Sequence, residues 1–180
     1  MSGEPEFSRT VRVDTLTGIA RNHSIGADEK ERAALARRFG LAALERLSAE
    51  ADLKRIGDEV TAVGTLSAAV VQSCVATGDP VAADIDEEFR IVFRPQRQPA
   101  GAEEEIELSE GELDVVFYDG LNIDLGEAVA ETLSLSLDPY PRSAEADAAL
   151  RAAGVKAEEE AKAESSPFAA LGALKDRLGE

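Results

Sequence analysis

Carboxylates are the most plentiful reactive groups in this chain: 36 Asp and Glu stand against 19 Lys and Arg. A pair of them does acid–base work when one is buried and held protonated while its neighbour stays ionised. With so many acids some pairs fall close by chance, and no pair is marked by an apolar surround. Nucleophilic catalysis needs a Ser or Cys activated by a base. The one histidine, His23, lies in the run Asn22-His23-Ser24-Ile25-Gly26, which reads as an exposed loop and not as part of a triad motif. A structural zinc site takes four Cys or His ligands, and the chain has one of each, Cys74 and His23. Gly18, Gly26 and Gly40 are isolated, without the spacing of a phosphate-binding loop. The sequence therefore predicts no catalytic residue, no metal and no cofactor.

Binding is the better use of these residues. The formal net charge of -17 repels nucleic acid and anionic membrane at long range, so neither DNA nor a lipid surface is an expected partner. The charge is uneven. Between Arg97 and Arg142 there is no Lys or Arg, while twelve carboxylates occur. This stretch is either a solvated face or a docking surface for a basic protein, because complementary potentials steer encounter and select partners. Asp119, Asp124, Glu127 and Glu131 are the candidate partner-binding carboxylates. One basic element interrupts the acidic background: in Phe89 to Arg94 the apolar Phe89, Ile91 and Phe93 alternate with Arg90 and Arg94, and Arg97 follows. These three arginines either pair with nearby carboxylates or fork onto phosphate as a possible RNA contact. No stretch approaches the length of a membrane span, and the first residues are acidic, not basic and then apolar, so the expected location is the cytoplasm. A lone cysteine, with no partner for an internal disulfide, agrees with a reducing compartment.

The elements that must position these residues follow from periodicity. Phe7 to Val13 alternates weakly and predicts a short edge strand. Asp28 with Glu31 forms a capping box that opens a helix, Leu35 and Phe39 share its face, and Gly40 stops it. From Ser48 the period becomes two: Asp52 to Ile56 and Glu59 to Ser73 read as successive strands separated by Gly57 and Asp58. In the second, Val60, Ala62, Leu66, Ala68 and Val70 lie on one face, and Gly64 predicts a bulge or close packing. The turn Thr77-Gly78-Asp79-Pro80 leads into a run with Val81, Ala83, Ile85, Phe89, Ile91 and Phe93 at alternate positions, so the two runs pair as a long antiparallel hairpin. Pro95 to Glu105 reads as a surface loop, and Glu105 to Leu108 and Leu113 to Tyr118 as short strands. Asp124 and Glu127 make a second capping box for a helix with Leu125, Val129 and Leu133 on its buried face, ended by Asp138, Pro139 and Pro141. Beyond Arg142 the chain turns to Ala and Glu, as an exposed helix or a disordered linker. A closing segment has Phe168, Leu171 and Leu174 spaced to share one side and to dock on this domain or on a partner.

Three blocks of the sequence resemble a known family. Gln72-Ser73-Cys74-Val75-Ala76-Thr77-Gly78-Asp79-Pro80-Val81 with Phe89-Arg90-Ile91-Val92-Phe93 resembles the cysteine-to-proline turn and strand of the YceD family, the large ribosomal RNA subunit accumulation proteins. Asp119, Ile123-Asp124-Leu125-Gly126-Glu127, Val129-Ala130-Glu131 and Leu133 to Pro141 are similar to that family's acidic helix. Pro167-Phe168-Ala169-Ala170-Leu171 with Leu174-Lys175 resembles its short C-terminal motif. The resemblance implies a bacterial or plastid factor, without catalytic activity, that supports accumulation of the large-subunit (23S) ribosomal RNA and assembly of that subunit. Many relatives carry further cysteines, which implies a metal in them; here Val71 stands where the first would fall, so a metal is not carried over.

Together these readings predict an α+β fold: an antiparallel sheet with a long central hairpin, packed by two or three helices, plus a C-terminal helical or disordered tail. Residues 1–142 form the α+β domain and 143–180 the Ala/Glu-rich tail. The expected partners are a large-subunit precursor, a basic ribosomal protein or 23S rRNA. The alternative is a hydrolase using carboxylates of the acidic segment.

Overall fold

A computed structural model describes residues 5–96 and 115–155. Its centre is the expected hairpin. Strand β4 (Glu59–Ser73) pairs antiparallel with β5 (Pro80–Pro95), from Val60 opposite Phe93 to Ser73 opposite Pro80. The reversal uses Gly78 at φ 79°, a conformation in which a side chain would be strained. On the other edge of β4 lies β3 (Ala43–Ile56), joined to it through Gly57 at φ 64° and Asp58. β2 (Arg21–Gly26) pairs antiparallel with β3, and β6 (Val115–Tyr118) adds in parallel to the end of β5, which closes a five-stranded sheet of order β2-β3-β4-β5-β6. A separate antiparallel pair joins β1 (Thr10–Arg12) to β7 (Asn122–Asp124).

The period of two separates the faces of the sheet. Val60, Ala62, Leu66, Ala68 and Val70 of β4 are buried, together with Leu47, Ala49, Ala51 and Leu53 of β3 and Phe89, Ile91 and Phe93 of β5. Two helices cover that face. α1 (Glu29–Phe39) contributes Leu35 and Ala36, and α2 (Leu125–Ser136) contributes Leu125, Ala128, Val129, Ala130 and Leu133 to the same core. The core is aliphatic apart from Phe7, Phe89 and Phe93. The outer face carries Glu50 and Asp52 of β3, Val63 and Thr65 of β4, and Asp86, Glu88 and Arg90 of β5, all exposed. A third helix, α3 (Ala146–Ala152), buries Ala146.

The capping box of α1 is complete: the Asp28 carboxylate accepts from the Glu31 amide, the Glu31 carboxylate accepts from the Asp28 amide, and Gly40 ends the helix at φ 67°. At α2 only one half forms. Asp124 accepts from the Glu127 amide at 3.2 Å, but the Glu127 side chain is drawn away to Arg38 of α1. The α+β architecture and the long hairpin are as expected, and so is the close approach at Gly64, where the strand runs on without a bulge. Three readings need correction. His23 is not in a loop but in β2, opposite Ala51. β3 starts nine residues before Asp52, at Ala43, because Glu45 and Arg46 at a register irregularity after Leu44 interrupt the alternation that would have revealed it. The edge strand expected over Phe7 to Val13 shortens to Thr10–Arg12. The strand expected over Glu105 to Leu108 and the C-terminal residues Phe168, Leu171 and Leu174 lie outside the described residues.

Candidate functional site: the carboxylates of the second helix and the outer strand of the hairpin

The four candidate carboxylates do not converge. Asp124 ends β7 and caps α2, accepting from the Arg9 amide at 2.8 Å and from the Ser8 hydroxyl as well. Its oxygens are therefore committed to joining the N-terminal strand to the helix. Glu127 takes both nitrogens of the Arg38 guanidinium, at 2.7 and 3.0 Å, and Arg38 also holds Glu6 at 3.0 Å. The Glu127 hydrogen bond is the main cause that raises the Arg38 guanidinium above its ordinary value. This bidentate arrangement clips α1 to α2 and to the N-terminal segment. Asp119, before Gly120 in the turn between β6 and β7, and Glu131 on α2 are exposed. Of the four, these two present their charge to solvent.

A similar clip holds the other end of α1. Arg9 forks onto both oxygens of Glu31 at 2.7 and 2.8 Å and stacks on Phe7 at 4.6 Å. The Arg9 hydrogen bond holds the Glu31 carboxyl below its usual range. Arginine at these two positions is a fold device that ties the N-terminal segment to the helices.

Arg90 and Arg94 stand on the outer face of β5, opposite in direction to buried Phe89, Ile91 and Phe93. Arg90 is exposed, and Arg94 is bound to Glu59 across the hairpin at 3.0 Å. Arg97 lies outside the described residues. Sequence reasoning passed over the carboxylates of the same strand, Asp84, Asp86, Glu87 and Glu88, all exposed and clustered around the middle of β5. Their signal was visible as acids interleaved with Val81, Ala83 and Ile85, but the alternation was read only for its apolar half.

Cys74 was read only as an unpaired thiol. The structure gives it a specific surround at the hairpin tip, where the chain after α2 returns: the Val75 amide donates to the Pro141 carbonyl at 2.9 Å. The Ser143 amide and the Thr77 hydroxyl both donate to the Cys74 sulfur, and these bonds, the amide first, lower its pKa from 9.0 to about 6. Because the folded value lies below the unfolded one, the unfolded chain binds the extra proton between about pH 6 and 9. Stability therefore rises with pH across that window, is fully present above it and is lost as pH falls through about 6. In urea melts at pH 5.5, 7 and 9, the wild type is expected to gain stability at each step, and Cys74→Ala to lose that part of the slope. An identical slope in both proteins would show that the thiolate is not stabilised by the fold.

Open grooves formed by described residues include three on the helices and the sheet. One, of about 490 Å³, lies between the ends of α1, β4 and α2 and includes Arg38, Phe39, Gln72 and Asp138. A second, of about 330 Å³, runs between β5 and α2 and includes Glu87, Glu88, Thr132 and Leu135. A third, of about 470 Å³, lies on the outer sheet face at Val63, Gly64, Thr65 and Arg90. None of the three takes in Asp119, Asp124, Glu127 or Glu131. Among the described residues no group of three or more His, Cys, Asp or Glu is arranged to hold a metal ion, and no helix is long and apolar enough to cross a membrane.

These features define a class: an α+β protein in which two helices cover one face of a hairpin-centred sheet, with charged groups displayed on the strands and turns around it. The chain belongs to the YceD family, whose description, large ribosomal RNA subunit accumulation protein YceD, matches residues 62–175, more than half of its length. The matched region begins near the start of β4, at its fourth residue, and takes in β5, β6, β7, α2 and α3. The family description connects the chain with accumulation of the large ribosomal RNA and names no catalytic activity. No curated protein and no solved structure matches the chain.

Proposed function

We propose that this protein is a non-catalytic factor for assembly of the large ribosomal subunit that acts by binding a basic ribosomal protein on the 23S rRNA precursor particle, in the cytoplasm. The observation that carries this reading is the net charge of -17 combined with exposed carboxylates on α2, on the turn before it and along β5. A surface of that sign meets a cationic protein favourably and meets the RNA backbone unfavourably. Asp119 and Glu131 are the partner-facing members of the acidic set, while Asp124 and Glu127 serve by keeping α2 in place. A carboxylate hydrolase would need two of these acids in one cleft at a short and defined separation. Two of the four are instead held by a helix cap and an ion pair, which favours binding over hydrolysis.

The test is sedimentation of tagged protein from lysate through a gradient at low and at high salt. Co-migration with large-subunit precursors at low salt, lost as salt rises past physiological strength, is the expected result. Protein found entirely at the top of the gradient in low salt overturns the reading. Direct RNA contact through Arg90, Arg94 and Arg97 is the competing mode. Replacing all three by Glu leaves co-migration intact if the partner is a basic protein and abolishes it if the partner is RNA.

A further inference from the structure

The edge of β5 that faces away from β4 is paired only at its end. β6 covers Val92 to Pro95, and along Pro80 to Ile91 no described strand lies beside it. Every second backbone N–H and C=O of that stretch therefore points sideways without a ladder partner among the described residues, which is the template a further strand needs. The same stretch is acidic on both faces: Asp84, Asp86 and Glu88 lie on the outer side and Glu87 on the helix side, in register with Leu66. Asp84 reaches Arg46 at 3.3 Å and Asp86 accepts from the Ser67 hydroxyl, so these two are anchored yet exposed. Alongside the edge runs the 330 Å³ groove to α2, whose wall includes Leu135, 84% exposed although it sits on a helix that is otherwise well buried toward the sheet.

We infer that the Pro80–Ile91 edge of β5 takes up an extended, Lys/Arg-rich polypeptide segment by strand addition, with its backbone completing the ladder and its cationic side chains meeting the carboxylates of Asp86, Glu87 and Glu88. An apolar side chain of the incoming strand enters the groove over Leu135, which gives the interaction a side-chain pocket as well as a backbone. Glu131 lies one turn before Leu135 on α2 and adds a carboxylate on the same helix face. This inference rests on the proposed function and supplies its mode of recognition.

The choice of occupant follows from charge. The chain's own neighbouring segment, residues 97–114, has seven carboxylates against Arg97 alone, so it carries the same sign of charge as the edge and is repelled by it. A second copy presenting the same edge brings carboxylates against carboxylates, which costs free energy at every acidic pair. A cationic strand is the partner that satisfies the backbone and the side chains together.

The experiment uses the full chain and a peptide of about ten residues alternating lysine and valine, at the upper end of strand length. Titration is followed by calorimetry, with hydrogen exchange at the amides of Ala82 to Glu88. The expected result is saturable binding that slows exchange in that stretch, weakens by about tenfold or more in Glu87→Lys/Glu88→Lys, and is lost when alternate peptide nitrogens are methylated. Those substitutions replace exposed side chains and should leave the circular dichroism spectrum unchanged; the single variant Glu88→Gln serves if the double one unfolds. Four results overturn the inference: unaltered affinity of the N-methylated peptide, unaltered exchange in β5, strong protection of that edge before peptide is added, or protection that grows with protein concentration alone. Should the wild type co-migrate with large-subunit precursors and Glu87→Lys/Glu88→Lys do so equally, the edge is not the docking site while the assembly reading stands. Failure of the wild type to co-migrate removes that reading and leaves the peptide result to judge the edge.

Discussion

Gly64→Ala is expected to destabilise the protein by about 3 kcal/mol, the upper end of the range for overpacking a filled site. Gly64 lies in the middle of β4 with Ala51 of β3 on one side and Phe89 of β5 on the other. A Cβ built there falls 2.0 Å from the Glu50 carbonyl oxygen and 2.7 Å from the Ala51 Cα. Both obstacles are backbone atoms of a strand hydrogen-bonded along its whole length, so no side-chain rotation relieves the overlap. The sheet must open between β3 and β4 or β4 must shift relative to β3. A shift by one residue would turn Val60, Ala62, Leu66 and their partners to solvent, so opening is the cheaper response. Urea unfolding followed by circular dichroism measures the loss. A variant within about 0.5 kcal/mol of the wild type would mean that β3 and β4 do not close against each other at Gly64.

Phe93→Ala is the second large effect, about 3 to 5 kcal/mol for deletion of a buried aromatic side chain. Phe93 is 1% exposed, stands opposite Val60 across the hairpin and belongs to the same core as Leu125, Val129 and Leu133 of α2. Phe7 and Phe89, the other aromatic side chains buried in this core, are themselves packed in it, which leaves smaller aliphatic side chains to fill the space. The midpoint of urea unfolding should fall with the slope unchanged, since the surface exposed on unfolding is nearly the same. The consequence reaches the candidate surface. α2 carries Glu131 and Leu135 on its far side, and a helix loosened over a cavity would present them less well to a partner. Co-migration of Phe93→Ala with large-subunit precursors should therefore weaken even at a temperature where the variant stays folded.

Much of the positioning framework is local, and it was legible for that reason. The Asp28–Glu31 capping box, the glycine stop at Gly40, the Gly57-Asp58 connection and the turn through Gly78 are all settled by residues a few positions apart. The buried face of β4 followed from a period of two, because alternation along a strand is enforced by the pleat itself. β2 and β7 escaped notice because Arg21–Gly26 and Asn122–Asp124 hold few large apolar residues. Their strand state comes from hydrogen bonds to β3 and β1, partners distant in sequence.

The chain by itself determined its sign of charge, its lack of paired metal or thiol ligands, the α+β pattern and the family blocks around Cys74 and Asp124. Tertiary structure alone decided which carboxylates are engaged and which face outward: Glu127 meets Arg38 from 89 residues away, and Asp124 meets Ser8 from 116 away. It also decided that most of β5 has an edge without a described neighbour, since β6 reaches only its last four residues. Charge is a property of single residues and survives in any listing of them. The direction of a side chain and the pairing of a strand edge depend on what packs alongside, and that is set by contacts that sequence spacing does not encode.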